Sequence, residues 1–269
     1  MLSQLRTLFG APTPPPRLPK VPRGTRYYVV GDIHGRLDLY EAMIMAIEDE
    51  IAQSPGCDHR VVLLGDLVDR GPDSAAVVAR TRDWQTSRNV RVLAGNHEEM
   101  FLAAFSRPEA LRHFLKHGGF ETLISYGLTR KMLNTLDLEV LFDLLPRMIP
   151  QSERDYIASF EPMIIAGDYV FVHAGIDPAV PLAAQKRSDL LWIRDAFLRH
   201  EGPLEKVVVH GHTIFERVVD CGNRIGIDTG AFRSGVLTAL VLEDDHRRIL
   251  QACAENGEPV EVVHGERAR

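Results

Sequence analysis

The chain has 269 residues, 45% apolar and 25% charged, which suits one large soluble domain or two small ones with a sizeable buried core. Its formal net charge of −6 argues against general binding to nucleic acid or anionic membranes, since both demand a basic surface. Cys57, Cys221 and Cys253 form no CxxC pair, so neither a disulfide framework nor a thiolate zinc site is suggested, and a reducing cytoplasm is the expected compartment.

The first segment, MLSQLRTLFGAPTPPPRLPK, lacks the sustained apolar core of a secretion signal, and no apolar run approaches the ~18 residues of a membrane span. Its prolines predict an extended, flexible tether over residues 1–25, ahead of one folded domain over 26–269. YYVV (27–30), VVLL (61–64) and VRVLA (90–94) alternate with helix-length segments, the pattern of a parallel α/β sheet. Each runs into Gly-Asp or Gly-Asn, and ligand sites in such sheets gather at the carboxyl ends of strands. Asp32 and His34 lie two residues apart, so on extended chain both face one point and a metal ion is the natural occupant. The alternative for that stretch is an N-cap aspartate followed by an incidental loop histidine.

Residues 100–145 read as a helical cap, including LNTLDLEVLFDLL with one apolar face, and Pro146 and Pro150 are expected to end it. MIIAGDYVFVHAG predicts a hairpin around Gly167-Asp168. KVVVHGHT, RIGIDTGA, GVLTALVLE and RRILQACA follow with little helix between them, so the second half is expected to form its own mostly β layer.

Five polar clusters follow strand-like runs: GDIHG (31–35), GDLVDRG (65–71), GNHE (95–98), HAG (173–175) and HGHT (210–213). Oxygen and imidazole ligands without thiolates suit manganese, iron, zinc or magnesium, and bridging carboxylates hold two cations side by side, so a dinuclear site is expected. Taken singly, His173 or His212 would more commonly be a core histidine bonded to a backbone carbonyl, and Asn96 a turn residue. The five clusters in register favour ligation.

Together the clusters resemble the phosphoprotein phosphatase branch of the calcineurin-like metallophosphoesterases, with order and spacing like the bacterial and lambda-phage members, from about Arg26 to about Glu243. The resemblance implies a four-layer α/β/β/α sandwich with a helical cap insertion and two divalent cations, manganese foremost, with iron, zinc or magnesium as alternatives. It implies that Asp32, His34 and Asp66 hold the first cation, and that Asp66, Asn96, His173 and His212 hold the second. It further implies that His97 is the general acid, oriented by Asp69, and that Arg70 and Arg194 grip the phosphoryl group. His210 is expected to pack or hydrogen-bond behind the ligands, and Gly118-Gly119 and Asp228 to Gly230 to shape turns. The implied reaction is hydrolysis of phosphoserine or phosphothreonine in proteins, with phosphotyrosine as a further substrate, by in-line attack of a cation-activated water. Symmetrical diadenosine-tetraphosphate hydrolysis is the alternative activity, and a non-catalytic metal-binding scaffold the alternative from another class. No regulatory-subunit groove is evident in the sequence.

Overall fold

The computed structural model describes residues 18–254 and 260–266. Strand β1 (Thr25–Val30) carries YYVV, and β2 (Asp58–Leu63) and β3 (Val90–Val92) carry the next two apolar runs. β-Branched and aromatic side chains fit a pleated surface buried on both sides. The three strands pair in parallel, with Val30 opposite Leu63 and Leu63 opposite Val92. The crossovers carry α1 (Leu37–Gln53) and α2 (Ser74–Ser87). In α1, Leu39, Tyr40, Met43, Ile44 and Ile47 recur at helical spacing and form the face buried against the sheet.

The cap consists of α3 (Asn96–Ala103), α4 (Pro108–Phe114), α5 (Phe120–Ser125), α6 (Arg130–Thr135), α7 (Leu138–Met148) and α8 (Gln151–Ala158), in keeping with the helical expectation. Pro146 lies inside α7 instead of ending it. The helix ends two residues later at Met148, with Pro150 just past its C-cap. The hairpin at Gly167-Asp168 is formed by β4 (Ile164–Ala166) and β5 (Tyr169–Phe171). Two short helices, α9 (Arg187–Trp192) and α10 (Asp195–Leu198), precede β6 (Val207–His210), β7 (Val219–Asp220) and β8 (Arg224–Gly226). One helical turn, α11 (Ala231–Ser234), leads to β9 (Val236–Glu243), β10 (His246–Cys253) and β11 (Glu261–Glu266).

The strand orders are β11-β10-β9-β1-β2-β3 in one sheet and β4-β5-β6-β8-β7 in the other. Contrary to the expectation from sequence, the C-terminal strands β9, β10 and β11 do not join the second layer, because β9 runs antiparallel beside β1. Its six central residues, Leu237 to Leu242, are all buried, so it fits only where both faces are covered. Tyr27, Val29, Val62 and Leu64 meet Phe171, Val209 and Ile225 between the sheets. Val170, Val172 and Val208 on the outer face of the second sheet are covered by Ile176, Leu190 and Phe197. With the α1, α2 and cap layer on the first sheet's outer face, this is the α/β/β/α sandwich, its fourth layer reduced to loop and short helices.

Residues 1–17 of the expected tether lie outside the described residues. Within its remainder, Lys20 donates its N–H to Asp168 Oδ2 at 2.9 Å, Val21 donates to Asp244 O at 3.0 Å, and Val21 is buried. Among the described residues no helix is long and apolar enough to cross a membrane.

Candidate metal centre and active site

The residues following β1, β2, β3, β5 and β6 converge. Ile33 and His34 both donate backbone N–H groups to Asp66 O, at 3.2 and 2.8 Å, and Gly211 donates to His173 O at 2.8 Å, so the strand-end loops are tied to one another. His34, Asp66, Asp69, Arg70 and His212 all have left-handed φ, from 48° to 74°. A side-chain-bearing residue in that region costs on the order of 1 kcal/mol or more, and such strain concentrates at functional sites. Two glycines leave the space this crowding needs: a Cβ at Gly95 would lie 2.1 Å from Asp66 Oδ1, and one at Gly211 would lie 2.0 Å from Asp32 Oδ1.

Two sets of donor atoms lie within 4.8 Å of one another, His34 with Asp66 and His97, and Asp66 with His173 and His212. Asp66 faces the sets with different oxygens: Oδ2 is 3.5 Å from His34 Nε2, and Oδ1 is 3.5 Å from His173 Nε2. Asn96 Oδ1 joins the second set, 3.0 Å from His173 Nε2 and 2.8 Å from His212 Nδ1. Nδ1 of His34 faces Val68 O at 2.8 Å and Nδ1 of His173 faces Leu64 O at 2.9 Å. A carbonyl only accepts, so both rings carry their proton on Nδ1 and turn an Nε2 lone pair toward the carboxylate and amide oxygens. Acceptors facing acceptors fit a cation between them. Asp32 Oδ1 and His212 Nε2 are buried with no hydrogen-bond partner. Asp32 lies outside both sets, its Oδ2 accepting the N–H of His212 at 3.0 Å.

The electrostatics agree with that fit. Burial, with Asp228 and Asp66 nearby, pushes the Asp32 carboxyl well above its ordinary range, and burial pushes Asp66 up to about 6. Burial likewise lowers His34, and lowers His173 to about 4. Buried carboxylates that resist ionising beside imidazoles that stay neutral are relieved together by bound cations.

His97 Nδ1 lies 2.6 Å from Asp69 Oδ2, an oriented dyad. Burial lowers His97 to about 4, against the pull of the Asp66 charge. Thr122 donates its hydroxyl to Asp69 Oδ1 at 2.6 Å. Arg70 spans both imidazoles, Nη1 3.0 Å from His34 Nε2 and Nη2 2.9 Å from His97 Nε2, with its guanidinium carbon 4.7 Å from the Phe232 ring centroid. Arg194 is exposed, with no ion pair among the described residues; burial foremost, then the neighbouring His173 and Arg194, lowers His212 to about 2.

The calcineurin-like phosphoesterase family model matches residues 25–231. The chain belongs to this family. Serine/threonine-protein phosphatase 1 of Salmonella typhimurium is 31% identical over 222 residues, 78% of this chain and 89% of that protein. A symmetrical bis(5'-nucleosyl)-tetraphosphatase of an Acidovorax species is 48% identical over a shorter 77-residue stretch, 29% of this chain and 25% of that protein. The crystal structure of a cold-active protein-tyrosine phosphatase from a psychrophilic Shewanella shares the fold, with a TM-score of 0.52 at 17% identity, covering 85% of this chain and 78% of that one. This calcineurin-like phosphoesterase is thus a hydrolase of the phosphatase class.

Several residues at its centre carry more than the sequence signal assigned. Glu98, in the GNHE cluster, is buried and accepts backbone N–H groups from Gly95, Asp66 and Leu67 at 2.8 Å each and from Val68 at 3.4 Å. A carboxylate next to the candidate ligand Asn96 in sequence was the available signal. Asp228, expected to shape a turn, accepts the N–H of Gly230, and its negative charge adds to burial in pushing Asp32 up. His210 packs edge-on to Phe197, with ring centroids 5.0 Å apart. Two aromatic rings border the phosphoesterase centre, Phe232 at 5.3 Å from the His34 ring and Trp192 at 6.3 Å from the His212 ring. Phe120 and Tyr126 instead pair with Arg130 and Glu153.

Proposed function

We propose that the protein is a metal-dependent phosphomonoester hydrolase acting on phosphoserine and phosphothreonine in proteins, with phosphotyrosine as a further substrate. The observation that carries this is Asp66, which turns one oxygen to each donor set while the Arg70 fork lies across the imidazoles. Asp32, His34 and Asp66 would hold one divalent cation, and Asp66, Asn96, His173 and His212 a second, manganese foremost. Cations bound there would supply Lewis acidity and acidify water for attack on phosphorus. Arg70 offers two parallel N–H groups, which match two phosphoryl oxygens, and Arg194 supplies a further positive charge from the exposed rim.

His97 serves as the acid for the departing alkoxide. Asp69 holds its Nδ1, which directs Nε2 outward toward the site. The lowered affinity of the buried imidazole for a proton is raised by an arriving phosphate, whose negative charge acts in the same direction as Asp66. The catalytic domain spans residues 26–269, with packed contacts reaching back to Lys20. Its three free cysteines suit a cytoplasmic setting.

Symmetrical dinucleoside-tetraphosphate hydrolysis is the second reading, favoured by the rings of Phe232 and Trp192, which border the site as base-stacking surfaces would. Rates on phosphoserine peptides and on diadenosine tetraphosphate, measured side by side with manganese, decide between them. A kcat/KM higher on the phosphopeptide is expected, and the reverse order would overturn the assignment. Metal content measured together with para-nitrophenyl phosphate turnover excludes a scaffold if both are present.

A further inference from the structure

Beyond α3, the cap also bonds the turn that carries Asp69 and Arg70. Between Asp69 and Ala75, three backbone N–H groups donate to cap residues. Arg70 donates its N–H to Gly118 O at 3.1 Å, Ala75 donates to Ser125 Oγ at 3.0 Å, and Asp69 donates to Thr122 Oγ1 at 2.8 Å. Thr122 is fully buried on α5 and holds Asp69 twice, because its hydroxyl also reaches Asp69 Oδ1 at 2.6 Å. Ser74 Oγ braces the same group, 3.0 Å from both Asp69 N and Thr122 Oγ1. Asp69 has a φ of 74°, so its backbone does not settle there unaided and outside contacts must fix where its carboxylate points. One carboxylate oxygen is set by Thr122, which leaves the other aimed at His97 Nδ1 at 2.6 Å.

We propose that Thr122 is a positioning residue for the His97 imidazole, acting from the cap through Asp69. This rests on the acid role of His97 given above. A buried hydroxyl that both accepts from the Asp69 N–H and donates to its carboxylate locks the side-chain torsion, whereas an apolar residue of the same shape leaves the carboxylate free to rotate away from the ring. The cap thereby sets the aim of the acid without touching substrate, and Ser74 alone does not replace it, since Ser74 reaches only the Asp69 N–H and the threonine.

The test is a double-mutant cycle in manganese-loaded enzyme, with Thr122→Val and His97→Asn assayed on a phosphoserine peptide and on para-nitrophenyl phosphate. Thr122→Val should lower kcat on the peptide about tenfold and on the nitrophenyl ester by less than about twofold, because only the alkoxide needs its proton. KM and bound manganese should stay as in the parent, and Thr122→Ser should recover most of the loss. On the His97→Asn background the same change should cost almost nothing, since it acts through the missing ring. An equal loss on both backgrounds, or an equal slowing of both substrates by Thr122→Val, would overturn the proposal. If valine does not fold, Thr122→Ala removes the same hydroxyl and is read by the same criteria. Should His97→Asn slow the two substrates alike, the acid role falls and the substrate comparison for Thr122→Val lapses with it, so loss of its effect on the His97→Asn background alone then decides positioning.

Discussion

At the scale of single residues, the centre is built on backbone conformations that most sequences avoid. His34, Asp66, Asp69, Arg70 and His212 occupy left-handed φ, and each is held there by contacts already described. Asp66 has the most contacts to lose. One oxygen faces His34 and the other His173, so Asp66→Asn should weaken both cation positions, whereas His34→Ala should weaken one. Elemental analysis after manganese loading and dialysis measures this: full occupancy in Asp66→Asn would rule out a bridging role. Arg70 and Arg194 separate by environment. Arg70 is fixed by Gly118 O at its backbone and Phe232 at its guanidinium, while Arg194 is exposed. Loss of a preorganised, charge-assisted contact costs about 2–3 kcal/mol, roughly a hundredfold in kcat/KM for Arg70→Ala. Arg194→Ala should lose less, since a mobile side chain must first be ordered. Steady-state kinetics at normal metal content checks the order, and a larger loss at Arg194 would reverse the assignment.

At the scale of elements, the convergence of the strand-end clusters was more legible than the topology. The strand-end clusters were readable because β1, β2 and β3 each stop at Gly-Asp or Gly-Asn, and a charged residue after an apolar run marks the place where a buried strand leaves the core. The partner of β9 was not readable, because a run buried on both faces is compatible with a central position in either sheet, and only three-dimensional packing beside β1 selects one. Pro146 lies two residues before the end of α7, within the one or two residues by which helix boundaries commonly vary. Glu98 was visible in GNHE but its job was not, since its four partners are backbone N–H groups that no sequence pattern displays. It reaches back to Gly95 at the start of α3 and across to the turn after β2, so it joins two elements whose ends carry the proposed ligands Asn96 and Asp66. In Glu98→Gln one oxygen becomes an NH2 group facing N–H donors. Leaving those donors unpaired costs about 1–3 kcal/mol each, and the turn that places Asp66 should loosen. Lower manganese affinity with a lower Tm is expected by titration and calorimetry, and unchanged affinity would show that the turn holds its shape without the carboxylate.

At the scale of the molecule, the donors come from both sheets. Asp32, His34, Asp66 and Asn96 follow strands of the first sheet, and His173 and His212 follow strands of the second. Apolar contact already joins the sheets along β1, β2, β5, β6 and β8, but at this edge the interior is polar, with buried carboxylates pushed up and imidazoles pushed down by burial. Without cations that edge is a region of unrelieved desolvation, and cations bound there would cross-link the two sheets. A ligand that binds only the folded state at about a hundred times its Kd adds about 2.7 kcal/mol of stability. For a domain of this size each kcal/mol moves Tm by roughly 2–4 °C, so chelator-stripped protein should melt about 5–10 °C below the manganese-loaded form, and reloading should restore it. In Asp66→Asn the difference between stripped and loaded protein should shrink, because the shared oxygen pair that reaches both donor sets is gone. Calorimetry of the four samples reads the result. If loading leaves Tm unchanged in the parent, the donors do not join the sheets through bound cations, and the second sheet contributes shape alone to the site.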